Sequence, residues 1–172
     1  MSFAFVFPGQ GSQSVGMMAA YGDAPVVRAT FDEASVALGD DLWKMVADGP
    51  AELLAQTVNT QPVMLTAGIA AWRLWVEKGG RRPSVVAGHS LGEYAALVAS
   101  GVLELKDAVP LVRLRAKAMQ EAVPVGTGAM AAILGLNDEG IRAACAESAQ
   151  GEVVEPVNFN AAGQTVIAGN KG

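Results

Sequence analysis

One short stretch of the chain, Gly88-His89-Ser90-Leu91-Gly92, has the G-x-S-x-G pattern of a serine nucleophile held on a sharp strand-to-helix turn. Such a turn exposes the serine hydroxyl, and the N-terminus of the next helix points N–H groups at a developing oxyanion. The alternative is a plain glycine-rich turn in which Ser90 only caps the helix. An apolar strand pattern before the motif and a helical pattern after it favour the catalytic interpretation.

An oxyanion hole usually has two N–H donors, and one belongs to the residue after the nucleophile, here Leu91. The second must come from another loop at the same edge of the sheet. The loop Gly9-Gln10-Gly11 follows the first predicted strand, and its glycines permit close backbone approach. It does not fit a dinucleotide-binding fingerprint, because the third required glycine is replaced by Ser14.

A hydroxyl nucleophile needs a base, and His89 is the only histidine. Neighbouring side chains diverge in a sharp turn, so we do not expect His89 to reach Ser90. One histidine and one cysteine also exclude a disulfide framework and a Cys/His zinc site, and we expect no metal. Cys145 lies on an apolar stripe and is expected to be a small buried hydrophobe.

Arg115 lies among apolar residues of a predicted helix that has Asp107 as its N-cap and ends near Ala122. A buried guanidinium must have its charge paired, either by an internal Asp or Glu or by a substrate carboxylate. Arg113 and Lys117 are expected on the solvated side. The apolar residues predicted to share the face of Arg115 are Ala108, Leu111, Val112, Met119 and Ala122.

Strand and helix patterns alternate through the first part of the chain and indicate an α/β fold with a mainly parallel sheet. The continuous apolar run at 3–7 suits a strand covered on both faces. The predicted strands are 3–7 and 84–87, and the predicted helices are 25–38, 50–57, 62–78 and 91–100.

A Pro- and Gly-containing stretch at 124–128 predicts a boundary between a core at 1–125 and a smaller domain at 126–172. The second part has the pattern β-α-β-β, with strands at 129–134, 152–159 and 165–168 and a helix at 138–149. The ferredoxin-like unit is β-α-β-β-α-β. We therefore expect either a smaller motif or an incomplete sequence.

Composition narrows the class of protein. The 172 residues carry 12 Lys+Arg against 17 Asp+Glu, a net charge of −5, which argues against nucleic-acid binding. The most apolar stretch, 62–75, is shorter than the roughly 18 residues of a membrane span, and no signal peptide precedes the first strand. We expect a cytoplasmic protein.

Four motifs in order resemble malonyl-CoA:acyl carrier protein transacylases, over nearly the whole chain. They are Pro8-Gly9-Gln10-Gly11-Ser12-Gln13, Gly88-His89-Ser90-Leu91-Gly92-Glu93, Arg115-Ala116-Lys117-Ala118-Met119-Gln120 and Val157-Asn158-Phe159-Asn160. The resemblance implies an α/β-hydrolase-like parallel-sheet core with an inserted ferredoxin-like subdomain, incomplete in this chain. It also implies malonyl-CoA as substrate, acyl carrier protein with its phosphopantetheine thiol as partner, and no cofactor of the enzyme's own.

The resemblance assigns a role to individual residues. Ser90 is the nucleophile, and the N–H groups of Gln10 and Leu91 form the oxyanion hole. Arg115 binds the malonyl carboxylate. Met119 lies near that carboxylate, and Asn160 lies near the CoA arm.

The family's catalytic histidine, and a glutamine near it, match no residue of this sequence. We therefore expect the 172 residues alone to be inactive or impaired, with the base in a C-terminal segment of the same protein. The alternatives are an acyltransferase domain of a polyketide synthase, a serine esterase, and a non-catalytic carrier-protein-binding module. Met1 directly before the first strand favours a free-standing enzyme over a synthase domain.

Overall fold

The structure, a computed structural model, describes residues 2–124 and 126–172 and divides into two compact units. The first unit ends at Ala118 and the second begins at Met119, earlier in the chain than the predicted boundary after residue 125. In chain order the first unit contains β1 (Ala4–Phe7), a 3₁₀ turn (Ala19–Tyr21), α1 (Pro25–Leu38), α2 (Leu42–Asp48), α3 (Ala51–Leu54), α4 (Thr57–Glu77), β2 (Val85–Gly88), α5 (Leu91–Ala99) and most of α6 (Leu105–Glu121).

Strands β1 and β2 pair in parallel, which confirms the predicted α/β class. Phe5 and Phe7 of β1 face α4, where Phe5 meets the ring of Trp72 edge-on at 5.2 Å between centroids. Gly68 allows this approach, because a Cβ there would lie 3.2 Å from Cδ1 of Phe7. In the described part of the chain the other face of β1 is not covered as expected, and Val6 is 69% exposed.

The start of α4 differs most from the prediction. The sequence predicts a helix beginning at Pro62, whereas α4 begins at Thr57 and Pro62 lies inside it. The first turn forms earlier because the N–H groups of Asn59 and Thr60 both donate to the carbonyl oxygen of Gln56. Proline was expected at the helix start, where its missing N–H costs least. The predicted helix over 50–57 is reduced to the single turn of α3.

Helix α6 also begins earlier than predicted, since the N–H groups of Asp107 and Ala108 close on the carbonyl oxygen of Glu104. Asp107 is therefore an acidic residue of the first turn and not the N-cap. Leu111, predicted on the buried face, is 41% exposed. The residues that are buried, Leu105, Ala108, Val109, Val112 and Ala116, form a face that leaves Arg115 at its edge, half-buried.

The second unit has the predicted element order β-α-β-β. It consists of β3 (Gly128–Leu134), α7 (Asp138–Ser148), β4 (Val154–Ala161) and β5 (Gln164–Asn170), in addition to the end of α6. Strand β5 lies between β3 and β4 and is antiparallel to both. The side chain of Asn137 caps α7 by accepting from the N–H of Gly140 at 2.8 Å. Cys145 of α7 is buried, as predicted.

Candidate active site

Ser90 occupies the turn between β2 and α5 in a strained backbone conformation. Its φ of 54° and ψ of −113° lie in a region that residues with a Cβ rarely adopt, at a cost of about 1–3 kcal/mol. Its side chain makes no capping hydrogen bond to α5. The interpretation of Ser90 as a simple helix cap therefore has no support in the geometry, and the exposed hydroxyl is directed to other partners.

Two glycines make this turn possible. A Cβ on Gly88 would overlap the backbone of Gly92 and lie 2.6 Å from the backbone nitrogen of Glu93. A Cβ on Gly92 would overlap the carbonyl oxygen of Phe7 and lie 3.0 Å from that of Pro8. The contact at Gly92 shows that the N-terminus of α5 packs directly on the end of β1. Both glycines are required by backbone-to-backbone contact.

The loop after β1 lies beside the serine turn. A Cβ on Gly9 would be 3.0 Å from the carbonyl oxygen of His89, so Gly9 brings the next residue, Gln10, to the same edge of the sheet as Ser90. Leu91 is in the first turn of α5, where an N–H has no intrahelical acceptor. Neither the N–H of Gln10 nor that of Leu91 donates a backbone hydrogen bond within residues 2–124 and 126–172.

Arg115 reaches the serine from α6. Its Nη2 donates to Oγ of Ser90 at 2.9 Å, and its Nη1 donates to Oε1 of Gln61 at 2.8 Å. The guanidinium carbon lies 5.7 Å from the centroid of the Tyr94 ring. None of the ion pairs among the described residues involves Arg115. Of the two partners that the sequence left open, the internal carboxylate is therefore absent from the described part of the chain, and a neutral amide takes its place.

Arg113, two positions earlier on α6, behaves differently from the prediction. Its side chain is only 18% exposed, and Nη2 lies 2.7 Å from Oδ2 of Asp40. The expectation that Arg113 lies on the solvated side is wrong, because the buried face of α6 is rotated from the predicted one. The arginine with an internal carboxylate partner is thus Arg113.

Sequence reasoning missed two residues at the start of α4. Gln61 is fully buried, and its Nε2 donates to Oγ1 of Thr57 at 3.1 Å. The Thr57 hydroxyl in turn donates to Oε1 of Gln10 at 2.8 Å. The available signal was the polar run 57–61 immediately before an apolar helix, but the misplaced helix start assigned these residues to the end of another helix and to a loop.

The profile of the family described as "Acyl transferase domain" matches residues 4–172. The chain belongs to this family. The malonyl CoA-acyl carrier protein transacylase of Salmonella typhimurium is 61% identical over 170 residues, which are 98% of this chain and 55% of that protein. The chain spans about half the length of the curated relatives it matches.

Solved structures agree with this acyl transferase assignment. An acyl-carrier-protein S-malonyltransferase from Burkholderia pseudomallei is 65% identical with a TM-score of 0.95, over 99% of this chain and 56% of that one. A malonyl-transacylase in complex with its holo type II polyketide synthase acyl carrier protein is 60% identical with a TM-score of 0.95, over the same shares.

The described residues place no base at Ser90. Within ranges 2–124 and 126–172, no imidazole or carboxylate hydrogen-bonds to Ser90, and arginine is a donor only. His89 is exposed, and its carbonyl oxygen accepts from the N–H of Gly92. The same ranges contain no cluster of three or more metal-ligating side chains and no helix able to cross a membrane.

Two residues that the sequence predicts to bind substrate lie in the second unit. Met119 is in the last turn of α6 and is 51% exposed. Asn160 is an exposed residue near the end of β4.

Proposed function

We propose that the protein transfers a malonyl group from malonyl-CoA, through an ester on Ser90, to the phosphopantetheine thiol of an acyl carrier protein. One observation carries the proposal. An exposed serine in a strained turn is hydrogen-bonded to an arginine that has no carboxylate partner in the described part of the chain. The relatives named malonyl CoA-acyl carrier protein transacylase support the same reaction.

The reaction has two half-steps. Oγ of Ser90 attacks the thioester carbonyl, the tetrahedral oxyanion faces the N–H groups of Leu91 and Gln10, and the CoA thiolate leaves. The carrier thiol then attacks the Ser90 ester through a second oxyanion, and the malonyl thioester of the carrier forms as Ser90 is released. Each N–H donor contributes about 2.7–4 kcal/mol in the transition state. The family resemblance assigns the proton of Ser90 to a histidine that matches no residue of this sequence.

Arg115 supplies the selectivity. A single methylene separates the malonyl carboxylate from the carbonyl that reacts, and Nη2 lies 2.9 Å from the attacking oxygen. The guanidinium can therefore leave the hydroxyl and bind the carboxylate as the ester forms. An acetyl group offers no such partner. An unpaired buried donor costs about 1–3 kcal/mol, which corresponds to a preference for malonyl of about 5- to 150-fold.

The remaining substrate contacts and the setting follow the family resemblance. We place Met119 near the malonyl carboxylate and Asn160 near the CoA arm. The resemblance implies no metal or other cofactor of the enzyme's own, and the phosphopantetheine arrives on the carrier protein. We place the reaction in the cytoplasm and in fatty acid synthesis.

A second carrier is supported by one observation. The solved malonyl-transacylase at 60% identity is bound to a type II polyketide synthase carrier. We therefore propose that polyketide carrier proteins are also acceptors. Transfer to purified fatty acid and polyketide carriers, measured side by side, distinguishes the two.

The test uses the whole protein that contains this chain, with radiolabelled malonyl-CoA. We expect label on Ser90, none on a Ser90→Ala variant, and a fall of about 5- to 150-fold in the malonyl-to-acetyl ratio of kcat/KM for Arg115→Ala. Lys117→Ala, an exposed change on the same helix, is the matched control and should leave the ratio unchanged. Label on Ser90→Ala would disprove the nucleophile, and an unchanged ratio for Arg115→Ala would disprove the carboxylate contact.

A further inference from the structure

A chain of side-chain hydrogen bonds connects the arginine to the loop after β1. Nη1 of Arg115 donates to Oε1 of Gln61 at 2.8 Å, and Nε2 of Gln61 donates to Oγ1 of Thr57 at 3.1 Å. The Thr57 hydroxyl donates to Oε1 of Gln10 at 2.8 Å. The Thr57 hydroxyl therefore lies in the chain of hydrogen bonds between Arg115, the proposed carboxylate contact, and Gln10, a proposed residue of the oxyanion hole.

The direction of this chain follows from the chemistry of its ends. Arginine has donors and no acceptor, so Gln61 must present its oxygen to Arg115 and its NH₂ group to Thr57. The oxygen of Thr57 is then an acceptor, and its own proton is left for Gln10, which must present its side-chain carbonyl. If the Gln61 amide were reversed, its NH₂ group would face the N–H groups of Arg115, and no hydrogen bond could form between the two side chains.

Thr57 is placed where it can orient the Gln61 amide. Thr57 and Gln61 are four residues apart on α4, so their side chains lie on one face of the helix. Gln61 is fully buried, so turning its amide away from Arg115 would break hydrogen bonds inside the protein. Gln10 is exposed, and the hydroxyl of Thr57 ties its side chain to the helix.

We propose that Thr57 is a positioning residue that sets both halves of the site through one hydroxyl. It holds the Gln61 amide with its oxygen toward Arg115, and it holds Gln10 so that the backbone N–H of that residue stays in the oxyanion hole. Malonyl selectivity and oxyanion stabilisation are thus coupled. The inference rests on the proposed malonyl transfer.

The test compares two substitutions in the whole protein. Thr57→Val keeps the shape of the side chain and removes both hydrogen bonds, whereas Thr57→Ser keeps the hydroxyl. We expect Thr57→Val to lower kcat/KM for malonyl-CoA roughly tenfold and to narrow the malonyl-to-acetyl ratio, with Thr57→Ser restoring both. Thr66→Val is the matched control, because the Thr66 hydroxyl of the same helix donates to the Pro62 carbonyl of its own helix, at 2.8 Å.

A second readout separates this inference from the proposed function. The rate at which a fluorophosphonate probe modifies Ser90 reports the oxyanion hole without any malonyl group, and Thr57→Val should lower this rate while Thr66→Val does not. Failure of the unaltered protein to accept malonyl would refute the proposed function alone. Unchanged probe and transfer rates in Thr57→Val would overturn the role of Thr57. An equal fall in kcat/KM for malonyl-CoA and acetyl-CoA that Thr57→Ser does not restore would also overturn the role of Thr57.

Discussion

The strained backbone of Ser90 predicts an unusual order of stability among variants at that position. Ser90→Ala keeps a Cβ at φ 54°, whereas Ser90→Gly removes it. Both variants lose the hydroxyl and its hydrogen bond to Arg115, and neither loses a capping bond, because the serine makes none. Their difference in free energy of unfolding therefore contains the cost of the strained conformation together with the greater freedom of glycine in the unfolded chain.

The magnitude follows from two opposing contributions. Removing the Cβ relieves about 1–3 kcal/mol of strain in the folded turn. Glycine also gives the unfolded chain more freedom, which costs about 0.4–1 kcal/mol. We expect Ser90→Gly to be more stable than Ser90→Ala by about 1.3 kcal/mol, roughly tenfold in the unfolding equilibrium constant.

Urea titration of the two variants, followed by circular dichroism, measures this difference. Ser84 supplies the control, since it is exposed, precedes β2 and is absent from the described residues with positive φ. There Ser84→Gly should be less stable than Ser84→Ala by about 0.4–1 kcal/mol. If glycine at position 90 is less stable than alanine by as much as it is at position 84, the turn is not strained and the argument for a nucleophile held in a sharp turn loses its physical basis.

Two further predictions concern packing. Gly92→Ala should destabilise the protein by about 1–3 kcal/mol or more, because the added methyl group overlaps the Phe7 carbonyl oxygen. Urea titration measures this loss of stability, and an unchanged unfolding midpoint would contradict the close contact. Cys145→Ser should lower the free energy of unfolding by about 1–3 kcal/mol, because it places a hydroxyl at a buried site. Thermal unfolding measures this loss, with Ser148→Ala at an exposed position of the same helix as the comparison. Equal melting temperatures for Cys145→Ser and the parent would contradict the burial of Cys145.

Local sequence patterns predicted the serine turn, the element order of the second unit and the burial of Cys145. The serine turn could be located from the sequence because its G-x-S-x-G pattern lies within five consecutive residues, and Gly88 is required by contacts with Gly92 and Glu93 of the same turn. The order β-α-β-β of the second unit could be predicted for the same reason, since turn residues and apolar alternation mark each element locally. Cys145 was placed correctly by the apolar periodicity of its own helix.

Helix starts and helix faces could not be read in the same way. Proline is best tolerated at a helix start, which predicts one at Pro62, yet the helix begins at Thr57, where the N–H groups of Asn59 and Thr60 donate to the Gln56 carbonyl oxygen. On α6 the predicted apolar face was rotated, because the contacts of neighbouring elements, and not the periodicity alone, decide which side is buried. The carboxylate partner predicted as one option for Arg115 belongs to Arg113 for this reason.

The sequence by itself predicted the Ser90 turn with its flanking glycines, and it carried the family resemblance in which the catalytic histidine matches no residue. Tertiary structure decided what surrounds Ser90. Arg115 meets Ser90 across 25 positions of sequence and Gln61 across 54, and Thr57 meets Gln10 across 47. Hydrogen bonds of this kind depend on how separate helices and loops pack, and no local propensity encodes that packing.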